Sequence, residues 1–69
     1  MSMLKVNGVE RHYPDGLPAS LAGLLEQLHI NDATVVAEID GNIVQRADFS
    51  TTPLEQGQTI ELVRFVGGG

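Results

Sequence analysis

Apolar and polar residues alternate from Leu4 to Val6, and the strand-like pattern resumes at Val9 after Asn7-Gly8. Asn-Gly between two such runs is the strongest short-range signal for a β-hairpin, because a type I′ turn needs φ > 0 at both central residues. Leu4 and Val6 are expected to face inward; on the return strand Val9, Arg11 and Tyr13 share one face, and Glu10 and His12 the other. Pro14-Asp15-Gly16 breaks the strand. The period then changes: Leu21, Leu24, Leu25 and Leu28 stand at i, i+3, i+4 and i+7, one stripe of an amphipathic helix expected over residues 18–29. Pro18 as a first-turn residue and Ser20 as N-cap compete for its start. His29 sits where a cation favours a helix C-terminus, and Asn31-Asp32 ends the element. Gly23 weakens the helix by about 1 kcal/mol relative to Ala, so its stability has to come from docking the leucine stripe on a sheet.

Period 2 returns at Thr34. Val35, Ala37 and Ile39 fall on one face and Val36 and Glu38 on the other; Asp40-Gly41-Asn42 turns the chain, and Ile43-Val44 returns as a second hairpin. Gln45 to Phe49 is long enough for a single 3₁₀ turn, with Phe49 plugging one end of the core. Ser50 to Pro53 is loop by composition, Leu54 is one more apolar anchor, and Gln56-Gly57 launches a last strand from Thr59 to Val66. In that strand Ile60 and Leu62 point at the helix. Glu61, Val63 and Phe65 point the other way, so two apolar side chains would meet solvent in a monomer. They read either as a contact surface or as incidental exposure. The chain closes on Gly67-Gly68-Gly69. Without a Cβ such a run is expected to be extended and mobile, which divides the chain into one domain, 1–66, and a flexible glycine tail, 67–69. The tail's one distinctive group is the Gly69 α-carboxylate, ionised at neutral pH with a reference pKa of about 3.5.

Composition narrows the function. At 69 residues the chain is a single small domain in which a deep active-site cleft is not expected. Apolar residues make up 42% and charged ones 19%, the balance of a folded domain. The net charge is −5, and Lys5, Arg11, Arg46 and Arg64 are scattered, which disfavours nucleic acid as a partner and suits a basic protein face. There is no cysteine, so thiol catalysis, disulfides and cysteine-ligated metal sites fall away together. No stretch resembles a signal peptide or a membrane span, and the expected location is cytoplasmic. His12 and His29 lack metal-ligand spacing. Glu38 and Asp40 stand two apart, as a carboxylate pair would, but read better as solvated charges. Gly67 to Gly69 make no phosphate loop, having neither Lys nor Ser/Thr after them. Arg64 either meets an acidic partner surface or keeps the tail soluble. No catalytic residue and no metal site is expected.

The order hairpin, helix, hairpin, short turn, strand is that of the α+β β-grasp, or ubiquitin-like, fold: a mixed sheet wrapped around one helix, with first and last strands parallel at its centre. The segments V-N-G-V at 6–9, L-A-G-L-L-E-Q-L at 21–28, V-V-A-E-I-D-G-N-I-V at 35–44 and L-E-Q-G-Q-T-I-E-L-V-R-F-V-G-G-G at 54–69 resemble the ThiS family, sulfur carriers of thiamine biosynthesis. Asp40, where Asn is common, and Gln58, where an acid often stands, depart from that pattern. The resemblance implies that an E1-like enzyme, ThiF, using ATP and magnesium, adenylates the carboxylate of Gly69. Sulfur relayed from cysteine then displaces AMP to leave a thiocarboxylate, and thiazole synthase, ThiG, accepts the sulfur. On this reading the chain binds no cofactor and catalyses nothing itself. Gly67 and Gly68 carry Gly69 into the enzymes, and Val63, Arg64, Phe65 and Val66 form the partner-binding set. Three other functions stay open: the small subunit of molybdopterin synthase, a ubiquitin-like modifier of lysines, and a β-grasp interaction module with an inert tail.

Overall fold

Asn7 and Gly8 have φ of 48° and 81°, the paired positive values of a type I′ turn. They join β1 (Ser2–Val6) to β2 (Val9–Tyr13), with Val6 directly opposite Val9. The computed structural model describes residues 2–65. The same device recurs where Asp40 (φ 50°) and Gly41 (φ 86°) join β3 (Val35–Ile39) to β4 (Asn42–Val44). This turn is two residues long, one shorter than expected. Asn42 already pairs with Ile39, because a two-residue I′ loop matches the twist of the strands it joins.

β5 (Thr59–Arg64) completes a five-stranded mixed sheet in the order β2-β1-β5-β3-β4. It runs parallel to β1 and antiparallel to β3. The last strand is therefore the central one, flanked by the two hairpins. One face of the sheet carries Leu4, Val6, Ala37, Ile39, Ile60 and Leu62, which pack with Leu21, Leu24 and Leu25 of α1 (Leu21–Gln27). A 3₁₀ turn at Arg46–Asp48 sets Phe49 into this core with 2% of its surface exposed. The architecture is the β-grasp that the element order predicts.

The helix is shorter than the 18–29 expected from its stripe, and both ends have a physical cause. At the start Ser20 wins over Pro18. Its Oγ accepts from the Gly23 N–H at 3.1 Å, while the Leu21 and Ala22 N–H groups donate to the carbonyls of Thr52 and Phe49 at 2.9 and 3.0 Å. The donors that every helix leaves unpaired at its N-terminus are thus met by one side chain and a loop remote in sequence. At the other end Leu28 is the C-cap, and His29 takes φ 57°. The His29 and Ile30 N–H groups donate to the carbonyls of Glu26 and Leu25, the bond pair of a Schellman motif. His29 thus serves as the left-handed stop residue, a place usually held by glycine, and not as a last-turn cation. Asn31 then opens a second 3₁₀ turn, Asp32–Thr34, its Oδ1 accepting from the Ala33 N–H at 2.9 Å.

Candidate functional site

β5 is held from both flanks by the turns of the two hairpins. On the β1 side the Asn7 side chain acts as a piece of backbone. Its Oδ1 accepts from the Leu62 N–H at 2.7 Å and its Nδ2 donates to the Leu62 carbonyl at 3.2 Å, while the Asn7 N–H donates to the Ile60 carbonyl at 2.9 Å. β1 ends at Val6, so the amide extends the ladder one step past the strand. On the β3 side the Asp40 N–H donates to the Thr59 carbonyl at 2.8 Å, and Asp40 Oδ1 accepts from the Thr59 N–H at 2.9 Å. An Asn at 40 has the same oxygen to offer, which makes the departure from the family pattern neutral for this bond. Gln58, the other departure, uses its Oε1 to accept from the Glu55 N–H at 2.8 Å, again work that an acid can do.

The Asn-Gly and Asp-Gly signals announce the turns but not these contacts, which join residues 55 and 19 positions apart. No local pattern encodes them. Replacing Asn7 by Gly keeps the positive φ and removes only the amide, with an expected loss of about 1–2 kcal/mol for two partly buried bonds. Asn7→Ala should cost about 1 kcal/mol more, for forcing a Cβ into left-handed backbone. Urea midpoints of the two variants against wild type measure both terms.

The strand sorts its side chains between two faces. Ile60 and Leu62 are buried under the helix, whereas Val63 and Phe65 stand on the outer face with 56% and 59% of their surface exposed. Register sets Val63 against Val36, Glu61 against Glu38, and Glu38 against Ile43, so Ile43, 64% exposed, shares that outer face. Arg64 lies opposite Val35, on the core side of the sheet, and is exposed. Of the residues grouped as a partner-binding set, Val63 and Phe65 lie on the outer face and Arg64 on the core side. The last bond of the strand runs from the Phe65 N–H to the Thr34 carbonyl, 2.7 Å. Val66, Gly67, Gly68 and Gly69 lie outside the described residues.

The other candidates do not assemble into a reactive site. His12 Nε2 lies 3.6 Å from Glu10 Oε1, both side chains exposed, and Arg46 lies at the same distance from Asp32. Glu38 and Asp40 are separated by function, Asp40 being committed to the Thr59 amide. Among the described residues no three His, Cys, Asp or Glu side chains gather as a metal site would need. A shallow cleft of about 420 Å³ lies between β2 and the end of α1, lined by Val9, Glu10, Arg11, His12, Tyr13, Gln27 and Leu28, with no Ser, Thr, Cys or Lys among them. No helix among the described residues is long and apolar enough to cross a membrane.

Comparison with known proteins places this geometry. The ThiS family model matches residues 4–69. A crystal structure of the thiamine biosynthesis protein ThiS from Geobacter metallireducens superposes with a TM-score of 0.81 at 29% identity, over 97% of this chain and 99% of that one. A solution structure of a thiamine biosynthesis protein from the same organism gives 0.78 at 29% identity, over 97% and 87%. A thiazole synthase from Paramagnetospirillum magneticum is 29% identical over 66 residues, which are 96% of this chain but 20% of that protein. The chain thus spans about one fifth of the length of that relative.

Proposed function

Because this chain belongs to the ThiS family of sulfur carriers in thiamine biosynthesis, we propose that it carries sulfur on the carboxylate of Gly69 and gives it up in thiazole formation. The observation that carries this reading is that the family match runs through the glycine tail to residue 69. A carboxylate is a poor acyl donor until one of its oxygens becomes a good leaving group. Attack of that oxygen on the α-phosphorus of ATP, held with magnesium by an E1-like partner of the ThiF kind, expels pyrophosphate and leaves an acyl adenylate. A sulfur nucleophile then forms a C–S bond at the carbonyl carbon as the C–O bond to AMP breaks. The chain itself needs no acid, base or nucleophile for this. Its task is to present one carbon atom on a run thin enough to enter two different enzymes, at the entropic cost of ordering the tail each time.

The acceptor we favour is a thiazole synthase of the ThiG kind, over the molybdopterin synthase partner that the same tail chemistry would also suit. The specific support is the Paramagnetospirillum relative: a protein named thiazole synthase includes a stretch matching 96% of this chain. Joining a carrier to its acceptor raises their effective concentration, which is a reason for such a fusion to exist. The reading requires a free Gly69 carboxylate. Intact mass after incubation with an E1-like ThiF, ATP, magnesium and a sulfur source should show one oxygen-for-sulfur exchange, placed at Gly69 by fragmentation. Its absence with enzymes proven active on another carrier would sink the proposal, and transfer only to molybdopterin synthase would reassign the acceptor.

A further inference from the structure

Asn7-Gly8 is the one Asn-Gly step in the chain; Asn31 precedes Asp32 and Asn42 precedes Ile43. Such a step carries its own reagents. The backbone nitrogen of the following residue can attack the side-chain carbonyl carbon of asparagine, and glycine, without a Cβ, leaves that nitrogen unhindered. Gly8 lies in open space, with nothing within 4 Å of where a Cβ would stand, and Asn7 is itself exposed, so water reaches both. What restrains the reaction is β5. The Asn7 carboxamide is held along that strand by its two bonds to Leu62, 2.7 Å at Oδ1 and 3.2 Å at Nδ2, and the Asn7 N–H donates to the Ile60 carbonyl. To meet the Gly8 nitrogen the side chain has to leave Leu62. The hold matters to the strand as well: the register of β1 with β5 runs through Lys5–Thr59 and Val6–Ile60, and past it the Asn7 side chain supplies the bonds to Leu62 on that flank.

We propose that Asn7 is a site of spontaneous deamidation gated by the opening of β5 from β1, and that the modification removes the clamp that restrained it. The Gly8 nitrogen forms a bond to Asn7 Cγ, the Cγ–Nδ2 bond breaks, and ammonia leaves with the proton that Gly8 gives up. Water then adds to either carbonyl of the cyclic imide and opens it, to aspartate or to isoaspartate; nothing is oxidised or reduced. Neither product fits the old contact. An aspartate carboxylate only accepts, so the oxygen that replaces Nδ2 meets the Leu62 carbonyl as a second acceptor, and a repulsion stands where a bond was. Isoaspartate lengthens the backbone of a two-residue turn by one atom, and the I′ loop that matches the strand twist is lost. Each opening thus exposes the chain to a change that favours further opening, and the strand loosened is the one that leads to the glycine tail.

Peptide mapping by mass after prolonged incubation of the full chain is the test. The exchange of amide for carboxyl should accumulate at Asn7 and not at Asn31 or Asn42. It should run at least about tenfold more slowly in the folded protein than in the same chain unfolded in urea, because opening limits it. Ile60→Ala, or wild type in urea below its midpoint where that variant does not fold, should recover much of the difference. Asp40-Gly41 reaches isoaspartate through the same ring without a change of mass, so the mass shift is specific to Asn7. Asn7→Asp stands in for the aspartate product and should melt about 4–8 °C below wild type at neutral pH. That deficit should close as pH falls through the carboxyl's reference value of about 3.9, since a protonated carboxyl regains the donor that the amide uses here. Lys5, Glu10 and Glu61, the charged neighbours on the flanking strands, are common to both proteins and drop out of the comparison. Equal rates at Asn7 in folded and unfolded chains, a folded rate that neither destabilised condition raises, conversion centred on Asn31 or Asn42, or an Asn7→Asp protein as stable as wild type at neutral pH would each overturn the proposal. None of these readings involves sulfur transfer, so they stand or fall apart from the carrier reading.

Discussion

Deletion of Gly69 is expected to lower sulfur loading at least about 100-fold, since a misplacement of about 1 Å at a reacting centre already costs that much, and to leave the melting curve of the domain where it was. The shortened chain still ends in a glycine carboxylate of the same chemistry. What changes is reach: losing one extended residue withdraws the carboxylate by about 3.5 Å. Gly69→Ala separates reach from width. It restores the length but adds a Cβ and narrows φ, so poor loading of this variant would point to the bore of the enzyme channel, and good loading to length alone. Stability should not move, because the described core is built from residues Leu4 to Leu62. Intact mass reads loading, and thermal denaturation of the same samples reads the fold. Full loading of the truncated chain would mean that the enzymes do not measure the terminal position. A lowered melting temperature would show that the tail is part of the packing.

Ile60→Ala should be the most damaging single change to the fold, at about 2–5 kcal/mol for a buried aliphatic truncation. A chain of this size has a total stability of only roughly 3–10 kcal/mol, scaling the usual per-residue figure. Ile60 has no exposed surface. It lies on the central strand between Val6 and Ile39, with its carbonyl bonded to Asn7, so the cavity is braced by strands on both sides and has little freedom to collapse. Urea denaturation should show a lower midpoint with an unchanged slope. Val63→Ala, one position outside the core on the same strand, is the control, expected within about 0.5 kcal/mol of wild type. Equal effects at 60 and 63 would mean that the two faces of β5 have been assigned the wrong way round.

Much of the fold was legible because its signals are local. Asn7-Gly8 and Asp40-Gly41 need positive φ and announce both hairpins. The period-2 alternation of β3 and β5 assigns Val35, Ala37, Ile39, Ile60 and Leu62 to the core, where they lie. The leucine stripe identifies the one helix, and the segment from Leu54 to Gly69 carries the family resemblance. The helix ends were not legible. Pro18 and Ser20 are both good start residues, and the structure adds the Thr52 and Phe49 carbonyls, which arrive from a segment remote in sequence. His29 looks like a helix-end cation in sequence; only the backbone shows it as the left-handed stop. The alternation of the last strand already separates Val63 and Phe65 from Arg64, and register then sets Arg64 opposite Val35.

By itself the sequence determined the order of the elements, the residues that share a face of the helix and of each strand, and the family resemblance. These follow from backbone sterics and hydrophobic periodicity, which act over a few residues. Only the tertiary structure decided that the Asn7 and Asp40 side chains clamp the central strand from either flank, and that Glu38 faces Glu61 on the outer face of the sheet. Both depend on the register of strands joined by long connections, and register is set when the whole sheet closes around β5.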